Sequence, residues 1–206
     1  MAIADQKIYL ASNSPRRREL LRQIGVEFEL LMSRDNGLRS GIVSEVPHAG
    51  EAPFDYVARI AREKAEMGWT NLIWRKLPQR PVLAADTTVT INGVILGKPA
   101  NMQEAVATLR LLSGNTHQVL TSVAVIANEK LNQIVQVSEV RFGELTDAML
   151  RAYCALPEPY DKAGGYAVQG YAAQFIEHIS GSYSGIMGLP LFETTQLLHQ
   201  AGIKTL

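Results

Sequence analysis

The chain has 206 residues, 47% of them hydrophobic and 19% charged, as in ordinary globular proteins. Its 20 basic and 20 acidic residues balance, so we expect no general attraction to nucleic acid or to a membrane surface, and any anion site must be local. No apolar segment approaches the ~20 residues of a membrane span, and the single cysteine, Cys154, excludes an internal disulfide and a cysteine-rich zinc site. Because the N-terminus lacks a signal-peptide pattern, we expect a cytoplasmic protein with one domain over residues 1–206, either undivided or as two lobes around a cleft.

An apolar run at residues 8–11 leads into residues 12–18 (Ser-Asn-Ser-Pro-Arg-Arg-Arg), which predicts a strand, a tight loop and a helix. Ser14 suits the N-cap of this helix, Pro15 its first position and Gly25 its C-terminal stop.

The start of this first helix is a candidate phosphate site. A helix N-terminus presents unpaired amide donors and a partial positive charge. The hydroxyls of Ser12 and Ser14 and the guanidinium of Arg16 add donors of the kind that phosphate oxygens accept. An ordinary capped helix with a solvated basic first turn is the alternative.

Further along the chain, short apolar or alternating segments predict strands, and residues with a period near 3.6 predict helices. Polar residues 33–51 predict a loop, Asn92-Gly93 predicts a hairpin turn, and His117 is placed in a structured loop. The predicted strands are 26–31, 81–85, 118–127, 133–142, 166–169 and 175–180, and the predicted helices are 53–68, 101–112, 146–155 and 191–202. This alternation favours an α/β fold with a mixed sheet.

Three more polar groups follow predicted strands or turns. Asp86 comes directly after the apolar strand 81–85, where ligands of open α/β sheets bind, and its carboxylate could hold a divalent cation or activate a water. A cap or turn aspartate is the alternative. Lys98 places an ammonium on a turn, although Pro99 stands where a P-loop needs a hydroxyl, which excludes Walker-type chemistry. Gln169 follows a glycine-rich segment and offers both a donor and an acceptor to a base edge.

Over nearly its whole length the sequence resembles the Maf family of nucleoside triphosphate pyrophosphatases. The matching motifs are Leu10-Ala11-Ser12-Asn13-Ser14-Pro15-Arg16-Arg17, Glu63-Lys64-Ala65, Ala85-Asp86-Thr87, Gly97-Lys98-Pro99, Leu112-Ser113-Gly114 with His117, Asp161-Lys162-Ala163-Gly164, Gln169-Gly170, Gly181-Ser182-Tyr183-Ser184 and Gly188-Leu189-Pro190-Leu191.

The resemblance implies a mixed, twisted sheet flanked by helices with a central nucleotide-binding cleft, as in inosine-triphosphate pyrophosphatases. It also implies a homodimer and the cleavage of a nucleoside triphosphate to the monophosphate and pyrophosphate with a divalent metal, Mg²⁺ or Mn²⁺. The segments at 163–170 and 181–184 are similar to those of the branch that acts on dTTP and UTP.

Roles for individual residues also follow from the resemblance. Asp86 is the expected general base and shares the metal with an acidic residue after the second strand. The expected phosphate-binding residues are Ser12, Ser14, Arg16, Lys64 and Lys98, and the expected substrate-specificity residues are Arg17, Thr87 and Gln169.

The acidic metal ligand is where the sequence departs from the family pattern. Residues 33–41 look like an insertion relative to the family pattern. Counting back from Tyr56 places Glu45 at the position of the family's acidic residue, and Asp35 is the alternative. Two other functions stay open at this point. One is a pyrophosphatase for modified nucleotides such as 7-methyl-GTP, and the other is a non-catalytic nucleotide-binding regulator of cell division.

Overall fold

The structure, a computed structural model, describes residues 6–31 and 43–205. The described residues form seven strands, six helices and three short 3-10 turns. In chain order the elements are β1 Ile8–Leu10, α1 Pro15–Gln23, β2 Phe28–Leu30, α2 Pro53–Trp74, β3 Val82–Ile91, β4 Val94–Leu96, α3 Met102–Leu112, β5 Thr116–Ala127, β6 Lys130–Phe142, α4 Asp147–Cys154, the 3-10 turns Glu158–Asp161, Ala163–Gly165 and Tyr171–Phe175, β7 Ile176–Ser180, α5 Tyr183–Met187 and α6 Leu191–Gln200.

All seven strands belong to one mixed sheet, in the order β2-β1-β3-β5-β6-β7, with β4 paired to β3. β1 runs parallel to β2 and β3, whereas the remaining pairs are antiparallel. The predicted fold class, a mixed sheet flanked by helices, is therefore confirmed.

Helices cover both faces of the sheet because the side chains of β3 and β5 alternate between two apolar layers. Ala84 on β3 packs with α2 on one face. Leu83 and Ala85 pack with α1 and α6 on the other face. Toward the far end of β3, Val89 joins α3 and α4 in a further cluster. The core therefore leaves the middle of β3, between Ala85 and Val89, for polar side chains.

The ends of α1 and the hairpin after β3 agree with the sequence signals. The Ser14 side chain accepts a hydrogen bond from the Arg17 amide at the N-cap, and Pro15 is the first helical residue. Gly25 follows the helix with φ 70°. Asn92 and Gly93 have φ values of 52° and 78°, as a tight hairpin turn between β3 and β4 requires.

The predicted end of the second helix at Gly68 was wrong, because α2 continues to Trp74. Gly68 is needed for packing rather than for termination. A Cβ at this position would lie 2.8 Å from Val82 Cγ1 and 3.1 Å from the Ala11 Cβ. Glycine therefore lets the helix approach the sheet closely.

Two predictions on the central strands were also wrong. The strand predicted at 81–85 does not end before Asp86, since β3 continues to Ile91 along its antiparallel partner β5. The β-branched residues 87–90 favour this extension. His117, predicted in a loop, lies in β5 and is 1% exposed.

Candidate active site

A cleft of about 710 Å³ opens along one edge of β3. β1 pairs with this edge at residues 82–83 and β4 pairs with it at residues 89–91. Between them, residues 84–88 are paired to β5 on the opposite edge, and no other strand of the described chain reaches them. All ten residues assigned to the site from the sequence line this cleft: Ser12, Ser14, Arg16, Arg17, Glu45, Lys64, Asp86, Thr87, Lys98 and Gln169. Asp35 lies outside the described residues.

Asp86 and Thr87 enter the cleft from opposite faces of the sheet. Successive side chains of a strand point to opposite faces. Asp86 contacts Lys64 on α2, with 2.8 Å between Nζ and Oδ1, whereas Thr87 accepts a hydrogen bond from Arg17 on α1 over 3.2 Å. The open edge of β3 thus brings two helices, one from each face, to the same cavity.

Lys64 holds two carboxylates together. Its Nζ lies 2.6 Å from Glu45 Oε1 and 2.8 Å from Asp86 Oδ1, and the Asp86 side chain is only 13% exposed. Burial alone would raise the pKa of Glu45, but the hydrogen bond and charge of Lys64, with the charges of Lys98 and Arg17, lower it. Glu45 is therefore suited to remain ionised beside the ammonium.

The same two carboxylates fit a divalent metal. Their oxygens converge on one positive charge, and carboxylate oxygens are the ligands that Mg²⁺ and Mn²⁺ prefer. No group of three or more His, Cys, Asp or Glu side chains suited to a metal occurs within residues 6–31 and 43–205. The donor set matches a metal that is completed by substrate phosphates and water, as Mg²⁺ usually is.

The segment that carries Glu45 is tied to the first turns of α2. The Tyr56 hydroxyl donates to the Glu45 carbonyl over 2.9 Å, and Arg59 Nη2 donates to the Val46 carbonyl over 3.2 Å. Arg59 also makes two hydrogen bonds of 2.6 and 2.8 Å to the Glu51 carboxylate. The hydrogen bonds from Arg59 lower the pKa of Glu51 to about 2. These contacts hold the Glu45 backbone at the mouth of the cleft.

The cations that line the cleft divide into those with and those without a hydrogen bond or ion pair to another described residue. Among the described residues, no hydrogen bond or ion pair holds the side chains of Arg16 or Lys98, although both line the cleft. Arg17 is engaged three times: Nε donates to the Gly188 carbonyl over 2.8 Å, Nη1 to Ser12 Oγ over 3.2 Å and Nη2 to Thr87. Arg17 is therefore a fixed part of the cleft wall, while Arg16 and Lys98 are available to an anion.

Gln169 lies in a turn, and the strand predicted at 166–169 was wrong. Gly164 and Gly165 have φ values of 69° and 70°, so the chain curls before it reaches Tyr166. A Cβ on Gly164 would lie 2.9 Å from Val89, which explains the glycine there. Gln169 is exposed, and its side-chain amide makes no hydrogen bond with another described residue.

Two further residues that line the cleft, Tyr56 and Lys162, and one buried residue beside it, Thr121, were not assigned from the sequence. Tyr56 is hidden in the apolar stripe of α2, and Thr121, next to the cleft, falls in a continuous β-propensity run. Lys162 lines the cleft, donates to the Glu158 carbonyl over 3.1 Å and pairs with Asp161. The sequence signal that could have identified Lys162 is its position in a charged, glycine-rich segment.

His117 packs behind Tyr166, a residue of the cleft wall. Its Nε2 lies 2.7 Å from the Tyr166 hydroxyl, and its ring packs edge-on against Phe142 and Tyr166. Burial lowers the pKa of His117 to about 4, so the ring is neutral at physiological pH. Its role is structural.

Comparison with known proteins gives one consistent family. The family model described as Maf-like protein matches residues 7–201. A protein of Aromatoleum aromaticum is 55% identical over 95% of this chain and 96% of its own. One of Ralstonia nicotianae is 52% identical over 95% and 94%, and one of Dechloromonas aromatica is 48% identical over 97% and 100%. Each of these three relatives is named dTTP/UTP pyrophosphatase.

A solved structure titled "The structure of the Staphylococcus aureus Ham1 protein" covers 82% of this chain and 90% of its own, with 14% identity and a TM-score of 0.41. This similarity is too low to bear on fold or function.

The Glu51–Arg59 pair predicts a defined acid sensitivity. Because the pKa of Glu51 is about 2 in the folded protein against 4.5 ordinarily, its ionised form stabilises the fold fully above pH 4.5, and that contribution is lost as the pH falls toward 2. We expect Glu51→Gln to lower the free energy of unfolding at neutral pH, and the gap to the native chain to narrow below pH 4.5. Urea denaturation at a series of pH values measures this gap. Glu66→Gln on the exposed face of α2 is the control, and a gap that does not vary with pH would contradict the prediction.

Proposed function

The chain belongs to the Maf-like protein family, and on that premise we propose that it hydrolyses dTTP and UTP to the nucleoside monophosphate and pyrophosphate. The observation that carries this proposal is the meeting of Asp86, Lys64 and Glu45 inside a cleft that Arg16 and Lys98 also line. A cleft that only binds a nucleotide does not need a general base, whereas a largely buried carboxylate among the cations can serve as one in a reaction with water. This favours an enzyme over a binding regulator.

We assign the triphosphate to Arg16 and Lys98, which line the cleft and make no hydrogen bond or ion pair with another described residue. The Ser12 hydroxyl and the capped helix start at Ser14 line the same cleft. Lys64 has a third N–H donor beyond those directed at Glu45 and Asp86. Together these groups would neutralise the charge that develops on the departing pyrophosphate.

Asp86 is our candidate for the general base. Its carboxylate is largely buried, and it lies at the open edge of β3, where a water can reach it from the cleft. Glu45 and Asp86 would hold Mg²⁺ or Mn²⁺, which supplies positive charge to the phosphate oxygens. Lys64 keeps both carboxylates oriented toward this point.

We assign the nucleobase of the substrate to Thr87, Gln169 and Arg17, which also line the cleft. Thymine and uracil present two carbonyls that flank an N–H, and an amide with a hydroxyl can match that pattern. Cytosine places an amino group and a bare ring nitrogen where one carbonyl and the N–H should be. A site built from hydrogen bonds rejects such a mismatch strongly.

Further proposals concern the setting of the enzyme. No helix among the described residues is long and apolar enough to cross a membrane. We propose a cytoplasmic homodimer that binds no nucleic acid, each chain a single domain over residues 1–206. The zero net charge of the chain supports the absence of nucleic-acid binding.

The first test of the function is the product of the reaction. Because the cations should stabilise a pyrophosphate leaving group, we expect dTTP to give dTMP and pyrophosphate, and dTTP and UTP to react ahead of CTP, dCTP, 7-methyl-GTP and the other purine nucleotides. Chromatography of the products from a nucleotide panel with Mn²⁺ measures both points. Release of dTDP and orthophosphate would refute the proposed bond cleavage.

Asp86→Asn tests the general base. The substitution keeps the size of the side chain but removes its charge and basic oxygen, so we expect turnover to fall by roughly two to four orders of magnitude. Binding of a non-hydrolysable dTTP analogue, measured by calorimetry, should weaken far less. Glu66→Asn on the exposed face of α2 serves as a control for the charge change, and near-normal turnover in Asp86→Asn would leave Asp86 without a catalytic role.

Glu45→Ala tests the metal assignment. Loss of one carboxylate ligand should raise the Mn²⁺ concentration that gives half-maximal activity by about tenfold or more, whereas Asp35→Ala should leave it unchanged. Activity titrated with Mn²⁺ in both variants measures the effect. The opposite result would transfer the ligand role to Asp35.

A further inference from the structure

The position of Gln169 in the cleft depends on its backbone. Gln169 lines the cleft, and its side-chain amide makes no hydrogen bond within the part of the chain that the structure describes. The residue lies in a turn that the Gly170 amide closes by donating to the Ala167 carbonyl over 3.0 Å. Any group that fixes this turn therefore also fixes where the Gln169 amide lies.

The Glu158 carboxylate binds the chain directly after this turn. Its Oε2 accepts a hydrogen bond from the Tyr171 amide over 2.9 Å, and its Oε1 accepts one from the Ala172 amide over 3.3 Å. The hydroxyl of Tyr153, a buried residue of α4, donates to Oε1 over 2.9 Å. The carboxylate thus ties the segment that follows Gln169 to the buried side of α4.

Gly170 leaves room for the Glu158 carboxylate. A Cβ at residue 170 would lie 2.3 Å from Glu158 Oε2 and 2.5 Å from Oε1. The φ of Gly170 is −104°, in the extended region, so alanine could adopt the same backbone conformation. The glycine that ends the Gln169 turn is therefore needed for contact with Glu158 and not for conformation.

The contacts of Glu158 require a group that only accepts hydrogen bonds. Oε1 receives the Tyr153 hydroxyl and the Ala172 amide, and Oε2 receives the Tyr171 amide. A carboxylate offers two accepting oxygens, whereas a carboxamide has one oxygen and one NH2 group. Glutamine at this position would direct its NH2 group toward one of the two backbone amides and lose at least one hydrogen bond.

We propose that Glu158 is a positioning residue for substrate selection, because it fixes the turn from which Gln169 reaches the nucleobase. This inference rests on the proposed function, in which Gln169 recognises the carbonyl and N–H edge of thymine or uracil. Glu158 is not among the residues that line the cleft, and it acts only through the backbone that carries Gln169.

Glu158→Gln tests the proposal. The side chain keeps its size but loses part of its hold on the amides of residues 171 and 172, so the Gln169 turn shifts. We expect the ratio of kcat/KM for UTP to that for CTP to fall by about tenfold, consistent with the loss of one discriminating hydrogen bond. Glu144→Gln is the matched control, because Glu144 is an exposed glutamate that also lies over a glycine, Gly114, outside the cleft. It should keep the ratio.

Gly170→Ala is the second variant and leaves Glu158 itself intact. The added Cβ would push the carboxylate away from the amides that it binds, so this variant should lower the same ratio. An unchanged UTP-to-CTP ratio in a folded Glu158→Gln or Gly170→Ala, or an equal loss of kcat/KM for both nucleotides, would overturn the proposal.

A double variant shows whether Glu158 acts through Gln169. Once Gln169→Ala has removed the side chain that recognises the nucleobase, adding Glu158→Gln should leave the UTP-to-CTP ratio where Gln169→Ala alone puts it. A further fall in the ratio, as large as the fall that Glu158→Gln causes in the native chain, would mean that Glu158 does not act through Gln169.

A binding measurement separates this inference from the proposed function. Calorimetry with the α,β-imido analogues of UTP and CTP compares the native chain with the variants without any turnover. If the native chain binds the UTP analogue selectively but does not release pyrophosphate from UTP, the proposed reaction fails, and the analogue affinities of the variants still decide the role of Glu158. If the native chain does not prefer the UTP analogue, the proposal for Glu158 is wrong.

Discussion

The site depends on one gap in the hydrogen bonding of the sheet. On one side, β3 is paired to β5 over residues 82–90. On the other side, among the described strands, β1 pairs only with residues 82–83 and β4 only with residues 89–91. A strand with one open edge can present side chains from both of its faces to the same cavity. Asp86 and Thr87, although adjacent in sequence, therefore meet different helices and take separate parts in one site.

The electrostatics of the cleft follow from that separation. On the α2 face, one ammonium lies between two carboxylates, so negative groups outnumber positive groups where we place the metal and the water. On the α1 face, Arg17 donates three hydrogen bonds to the protein and fixes the wall where we place the nucleobase. Arg16 and Lys98, whose side chains make no hydrogen bond or ion pair with another described residue, line the cleft where we place the phosphates.

The sequence predicted structural features correctly where their physical cause lies in neighbouring residues. Ser14-Pro15 marked the helix start, and Asn92-Gly93 marked the hairpin, because capping and positive φ depend on neighbouring residues alone. Gly68 was misread as a helix end, since its reason, the closeness of Val82, comes from a distant part of the chain. Some residues of the site, such as Asp86, were assigned from the predicted strand that they follow, and others, such as Thr87, only from the family resemblance. The pairing of Thr87 with Thr121 depends on strand register and could not be predicted.

The absence of a side chain at residue 68 also bears on the chemistry. Lys64 stands one helical turn before Gly68 on the same face of α2. Val82 and Ala11 fill the space next to Gly68, so their contact with the helix sets the distance between this turn of α2 and the sheet. A bulkier residue there would lift the helix and carry the Lys64 ammonium away from Asp86, which makes the reach of this ammonium a property of backbone spacing rather than of the lysine alone.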